Sequence, residues 1–249
     1  MRVKILQWNI WYLEDINKII DVIRYLDPDI CCLQELSGNT QVNPGIETDS
    51  IIKERFSYFS HVAKAQEWVG WHKDYQANGI FSKFPILGGN TIFLRHPHVK
   101  ETIDWSREGR VYIDVDISID GRILTVGTTH LSYTHKFMGG DERIEEEICL
   151  KSILRDKTNS YFFSGDLNSP ENSEIVAHLR QQFRDCGPAD NIKTWTTKPF
   201  DYQGFKEDAL NWRLDYAFVT NDINVLSSNV VQTDASDHLP IIIEIEVNA

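Results

Sequence analysis

The chain has 249 residues, 41% of them hydrophobic, and a formal net charge of −12. That length allows one or two domains of about 100–200 residues each, and the acidic balance argues against a protein that coats long stretches of nucleic-acid phosphate. It leaves room for a nuclease with one local cationic groove, while no run of roughly 18 apolar residues is present to cross a membrane.

Met1-Arg2-Val3-Lys4 leads straight into an apolar run, residues 3–8, that reads as a first strand. It lacks the apolar segment and small-residue cleavage site of a secretory leader, so a cytoplasmic location is expected. Residues 15–26 carry helical periodicity, with Ile16, Ile19, Ile20, Ile23 and Leu26 on one face, and Asp27-Pro28-Asp29 breaks it. Residues 30–36 form a second strand. This β-α-β opening favours parallel strands joined by a right-handed crossover. Residues 37–47 are a polar loop and 51–56 a short helix. Strands are expected at 58–65, 77–82, 86–94, 110–119 and 122–130, the last two joined by the hairpin turn Asp120-Gly121. A helix spans 141–155, with Ile144, Ile148 and Leu150 or Lys151 marking its inner edge. A strand at 161–165, a helix at 174–182 and late strands at 214–219 and 241–247 complete the pattern. No linker, repeat or low-complexity tract interrupts it. The expectation is one domain over 1–249, an α/β sandwich of two packed sheets with outer helices, acting as a monomer. Cys31 and Cys32 are adjacent and point to opposite faces of their strand, and no cysteine pair has zinc-ligand spacing, so free thiols are expected.

Five short stretches carry chemistry: Leu6-Gln7-Trp8-Asn9-Ile10, Cys32-Leu33-Gln34-Glu35-Leu36, Phe163-Ser164-Gly165-Asp166-Leu167-Asn168-Ser169, Trp212-Arg213-Leu214-Asp215-Tyr216 and Ser236-Asp237-His238-Leu239-Pro240. Each puts acidic, amide or imidazole groups at the end of an apolar run. Five such strand ends can converge on one polar pocket, whose composition suits a hard divalent cation and a phosphate ester. Taken alone, Glu35 reads either as a surface charge or as a metal ligand. Asp166 and Asn168, two residues apart, face the same side if the strand continues; the alternative is an Asx turn ahead of the helix at 174.

In this order the five stretches resemble the endonuclease/exonuclease/phosphatase superfamily, metal-dependent phosphoesterases with a DNase-I-like fold, over nearly the whole chain. The resemblance implies a four-layer α/β sandwich with two mixed β-sheets packed face to face. It implies Mg²⁺ or Mn²⁺ held by Glu35 and Asn9, with Asp237 beside them. Asp166 would deprotonate a water positioned by Asn168, and Asp215 would orient His238. His238 and His130 would meet the charge that develops on the phosphate. A carboxylate partner favours the imidazolium form of His238. Asn78-Gly79-Ile80 and Gly109-Arg110-Val111 match places where the family contacts substrate or braces its site, so Asn78 and Arg110 are candidate substrate contacts. Arg213 is a further one, with a structural role as its alternative. Trp11 stands where many members carry an Asp near the metal.

Thr129-His130-Leu131 resembles the phosphatase, sphingomyelinase, deadenylase and 5′-tyrosyl-DNA phosphodiesterase branches, whereas residues 211–216 look like the AP endonucleases. His130 weighs against cleavage at abasic sites. Two aromatic loops, with Trp68, Trp71, His72 and Tyr75 and with Trp195, Phe200, Tyr202 and Phe205, either stack on a base beside Lys73, Lys193 and Lys198 or pack as rim. The favoured substrate is a phosphodiester in DNA or RNA, at a strand end or 5′ adduct. The alternatives are an inositol phosphate, a sphingolipid head group or another small phosphoester. A catalytically dead binding module would have eroded motifs, and all five are intact.

Overall fold

A computed structural model describes residues 1–68, 72–97 and 108–247. In chain order its elements are β1 (Arg2–Asn9), α1 (Ile16–Leu26), β2 (Ile30–Ser37), α2 (Thr48–Phe56), β3 (Phe59–Glu67), β4 (Tyr75–Ser82), β5 (Ile86–Arg95), β6 (Arg110–Ile119) and β7 (Arg122–His130). Then follow α3 (Asp141–Leu154), β8 (Tyr161–Asp166), α4 (Glu174–Gln182), β9 (Arg184–Asp185), β10 (Phe200–Tyr202), β11 (Phe205–Glu207), β12 (Asp215–Val219), β13 (Asn224–Val230) and β14 (Ile241–Glu246). They build two six-stranded mixed sheets, ordered β13-β14-β1-β2-β4-β3 and β5-β6-β7-β8-β12-β9, with β10 and β11 as a separate hairpin. Parallel pairing occurs at β1–β2 and at β7–β8. Among the described residues no helix is long and apolar enough to cross a membrane.

Strand alternation explains the layering. Val3 and Ile5 of β1 pack between the sheets with Val111, Ile113, Val115, Val126 and Phe162. Leu6 and Trp8 of the same strand face outward onto Ile16, Ile19, Ile20 and Ile23 of α1. Cys31 and Cys32 divide in the same way, one under α1 and one between the sheets, and all four cysteines are free thiols. On the far side Leu150 and Leu154 of α3 and Ile175, Val176 and Leu179 of α4 cover β8 and β12. The result is the expected four-layer sandwich. α1 starts where the Asp15 side chain accepts the Asn17 N–H and stops at Asp27, which takes the left-handed conformation.

One helix is rotated from expectation. Ile144 and Ile148 of α3 are exposed, at 54% and 61%, while Arg143 and Glu146 are buried. Hydrophobic periodicity marks the wrong face here because two charged residues point inward, toward the ends of β7 and β8.

A line of buried amides crosses between the sheets. The Gln7 and Gln34 side chains bond each other reciprocally, Gln34 Nε2 also donates to Thr128 Oγ1 at 2.9 Å, and Gln7 Nε2 lies 3.4 Å from Asp215 Oδ1. This polar path runs through the core to the sheet edge where β1, β2, β7 and β8 end.

Candidate active site

Asp166, the last residue of β8, lies in register with His130 on one side and Asp215 on the other. It is buried and four groups address it. Its Oδ2 accepts Asn9 Nδ2 at 3.0 Å and lies 3.4 Å from His130 Nε2 and 3.5 Å from His238 Nε2; its Oδ1 accepts the Asn168 N–H at 2.8 Å. Burial pushes its carboxyl up to about 7, aided by Asp215 and opposed by the His238 cation and the bonds from Asn9 and Asn168. Continued strand alternation does not place Asn168. The chain leaves the strand after Asp166, Asn168 adopts φ 44°, and an Asx turn forms. The turn still aims the Asn168 amide inward, where Nδ2 donates to Leu131 O at 2.9 Å and to His130 Nε2 at 3.1 Å.

His238 enters from the loop before β14. That loop is tied to β1: Trp8 Nε1 donates to His238 O at 2.9 Å and Ser236 Oγ donates to Asn9 O at 2.7 Å. His238 Nδ1 sits 2.8 Å from Asp215 Oδ2. Burial lowers the affinity of this ring for a proton, but Asp215, Asp166 and Asp237 together overcome that and hold it well above the ordinary imidazole range. His130 goes the other way: burial, with Arg110, His238, Lys73 and Arg143 nearby, drives it well below that range. The two rings are therefore driven in opposite directions, His238 toward imidazolium and His130 toward the neutral imidazole.

Glu35 sits in a β-bulge of β2, between Leu33 and Leu36, with φ 60°. The bulge turns this carboxylate out of the strand alternation and into the cavity. Its Oε1 accepts Asn9 Nδ2 at 3.1 Å and its Oε2 the Tyr12 N–H at 3.3 Å. Asn9 therefore ties Glu35 to Asp166 through its amide hydrogens, while its Oδ1 accepts the Trp11 N–H at 3.1 Å. This orientation differs from the expected one, in which Asn9 offers an oxygen to a metal. Asp237 accepts Trp195 Nε1 at 3.1 Å and is pushed up to about 6, by burial first and then by Glu35 and Asp215, against His238.

Glu35, His130, Asp166, Asn168, Asp237 and His238 line one cavity of about 290 Å³, with Asn9 and Asp215 bonded to its wall from behind. Arg110 also lines it, its Nε donating to Ser132 Oγ at 3.0 Å and its Nη1 lying 3.4 Å from Glu108 Oε2. Asn78 and Arg213 do not. The Asn78 amide donates to Val111 O at 2.8 Å, inside the sandwich. The Arg213 guanidinium turns to Asp185 and Asp190, at 2.8 and 2.6 Å, and lies over the Tyr216 ring. Both are correctly placed to brace neighbouring strands rather than to touch a ligand.

Sequence reasoning gave Lys73 only a stacking context and missed Gln76 and Glu108. Lys73 is buried in the cavity wall, its Nζ 3.9 Å from the Tyr12 ring centroid and donating to Gln76 Oε1 at 2.6 Å. Gln76 Nε2 is 3.4 Å from His130 Nδ1. Of the aromatic loops, Trp195 and Phe200 line the cavity beside Tyr133, Phe137 and Lys198, and Phe205 packs behind them. Tyr75 is buried against Asp49, His72 stacks on Tyr12, and Trp71 lies outside the described residues.

The donor set fits a hard divalent cation. Glu35, Asp166 and Asp237 bring carboxylate oxygens to one cavity, and Asp166 and Asp237 are held above their ordinary range by burial first and by neighbouring carboxylates second, both of which a cation would offset. Among the described residues Asp166, Asp215 and His238 form a cluster whose donor atoms lie within 4.8 Å of one another. It is a poor cation site, because His238 Nδ1 is engaged with Asp215 and its ring is charged.

A family model described as Endonuclease/Exonuclease/phosphatase family matches residues 6–238. No curated protein matches the sequence. Among solved structures, an endonuclease/exonuclease/phosphatase from Bacteroides vulgatus is 16% identical, with 100% of each chain covered and a TM-score of 0.71. A mannosyl-6-phosphatase from Bacteroides thetaiotaomicron is 17% identical, over 98% of this chain and 99% of that one, with a TM-score of 0.70. The human Nocturnin catalytic domain, with bound sulfate, is 18% identical over 98% and 94%, with a TM-score of 0.71. At these identities the likeness is one of fold.

Proposed function

The chain belongs to the endonuclease/exonuclease/phosphatase family, and from that premise we propose that it is a divalent-metal-dependent phosphoesterase that hydrolyses its substrate by in-line attack of water. The observation that carries this reading is the convergence of Asn9, His130, Asn168 and His238 on the Asp166 carboxylate. Glu35 and Asp237 would hold Mg²⁺ or Mn²⁺, which when bound offsets negative charge on the phosphate and on the leaving oxygen. Asp166 accepts the proton of the attacking water. Asn168 and the neutral His130 orient that water toward phosphorus. His238 donates a charged hydrogen bond to a nonbridging oxygen, and Asp215 keeps it protonated and in place. Arg110 binds a second nonbridging oxygen. No covalent enzyme intermediate is required.

The favoured substrate is a phosphodiester at a nucleic-acid strand end or 5′ adduct. The aromatic wall of Tyr133, Phe137, Trp195 and Phe200, with Lys198 beside it, supports this. A second reading, a small phosphoester, is favoured by the limited cavity, about 290 Å³, and by the net charge of −12; one structure of similar fold is a mannosyl-6-phosphatase. A panel of single-stranded, duplex, abasic and 5′-adducted oligonucleotides and small phosphoesters, assayed with Mg²⁺, Mn²⁺ or chelator, tests these readings. Turnover is expected to vanish in chelator and to fall at least about 10²-fold in Glu35→Gln with the circular dichroism unchanged. Full turnover in excess chelator would overturn metal dependence, and turnover of no phosphoester would leave a binding module. The abasic duplex is not expected to be the best substrate.

A further inference from the structure

Arg110 reaches the cavity from the first residue of β6, a position from which a long side chain has several rotamers available. Glu108 in the cavity wall meets its Nη1, and a second anchor lies outside the cavity. Its Nε donates to Ser132 Oγ at 3.0 Å. Ser132 in turn gives both of its protons to one carboxylate, Oγ–H to Glu146 Oε1 at 2.6 Å and N–H to Glu146 Oε2 at 2.9 Å. Glu146 is fully buried on the inner face of α3, where Arg95 Nη2 meets its Oε1 at 2.5 Å.

The direction of these bonds matters. A serine hydroxyl has one proton and two lone pairs. With the proton committed to Glu146, the lone pairs are left to Arg110. A glutamine at 146 could accept from only one of the two Ser132 donors, and its NH₂ would oppose the other. One turn earlier on the same helix, Arg143 donates to Ser132 O, to Leu167 O and, at 2.7 Å, to Ser169 Oγ. That holds the residues on both sides of Asn168, Leu167 by its carbonyl and Ser169 by its hydroxyl. Apolar side chains of like volume would pack α3 at least as well as this buried charge does, but they could not direct a hydroxyl.

We propose that Glu146 is a positioning residue for Arg110, acting through Ser132, so that phosphate binding in the cavity is set by a side chain of α3 that never touches the ligand. This rests on the reading of Arg110 as a phosphate contact, and the test separates the two. Binding of inorganic phosphate to the full chain in Mg²⁺ is measured by calorimetry for wild type, Arg110→Ala, Ser132→Ala, Glu146→Gln and the Arg110→Ala/Ser132→Ala double variant. Loss of a hydrogen bond to a charged group predicts about 10- to 100-fold weaker binding for Arg110→Ala. Ser132→Ala and Glu146→Gln are each expected to weaken it by a smaller factor, roughly 3- to 10-fold. The double variant should bind no more weakly than Arg110→Ala alone, which a purely structural role for Ser132 would not produce. Should Glu146→Gln fail to fold, the cycle with Ser132→Ala decides. Wild-type affinity in Ser132→Ala beside a weakened Arg110→Ala, or additive losses in the double variant, would overturn the positioning role alone. Equal affinity in wild type and Arg110→Ala would overturn the phosphate role of Arg110 and the positioning role with it.

Discussion

His130 and His238 share one cavity and one carboxylate neighbour, yet only His238 has a carboxylate bonded to its second nitrogen. That difference makes Asp215 testable. His238 is raised well above 6.5, so its charge is present at low pH and is lost as pH rises through the folded value. Asp215→Asn removes the largest contribution that raises it. The high-pH limb of activity should therefore move to lower pH, and kcat should fall about 10²- to 10³-fold with little rise in KM. His238→Ala combined with Asp215→Asn should be scarcely worse than His238→Ala. A lower Tm with an unmoved pH profile would show that Asp215 only supports the fold. At this scale, what was legible in the sequence were carboxylates beside strong apolar runs: Asp166 at the end of β8, Asp215 at the start of β12 and Glu35 within β2, where only the bulge turns it inward. Asn9 was placed but its amide orientation was not, since that depends on Trp11 turning back at φ 52°. Lys73, Gln76 and Glu108 come together only when β4 and the chain entering β6 meet, and no pattern along the chain marks such a meeting.

Helices with a clean apolar face, α1 and α4, were read to within a residue of their ends, and so were the inner strands except β4, which starts at Tyr75 rather than at residue 77. Short or polar elements were missed: β9, the β10–β11 hairpin and β13, whose Asn224–Val230 segment has only a weak alternation because it is a sheet edge. α3 was located but rotated, because the argument from hydrophobic spacing treats every buried position as apolar. The rotation gives a sharp expectation. Ile144→Lys and Ile148→Lys should each change stability by no more than about 0.5 kcal/mol, whereas Leu150→Ala, at a fully buried position, should cost about 2–5 kcal/mol. Urea unfolding of the three variants measures this, and a large loss in either lysine variant would contradict the orientation of the helix.

For the molecule as a whole, the acidic cavity should make stability depend on cation and pH together. Asp166 and Asp237 hold protons up to about 7 and about 6, against an ordinary 3.8. Without a cation, the folded protein retains protons that the unfolded chain has already released, so stability should decline as pH rises from about 4 to about 7. His238 adds to the same trend at higher pH. A bound cation competes with those protons, so Mg²⁺ should raise Tm more at pH 8 than at pH 5, with the chelated protein as reference. An equal increment at both pH values would show that these carboxylates do not face the cation. Asp237 and His238 precede β14, the strand that closes the first sheet between its first strand in sequence and β13. β14 lies between β1 and β13, pairing Arg2 with Glu246. While the ribosome is still making the chain, the outer edge of β1 has no partner until β14 emerges, and β13 has nothing to attach to. A chain that stops before residue 236 is therefore sticky along a long apolar strand edge and lacks the segment that delivers His238. Translation that stops before β14 would yield material fit for degradation by the cell, never a fragment that holds the assembled cavity.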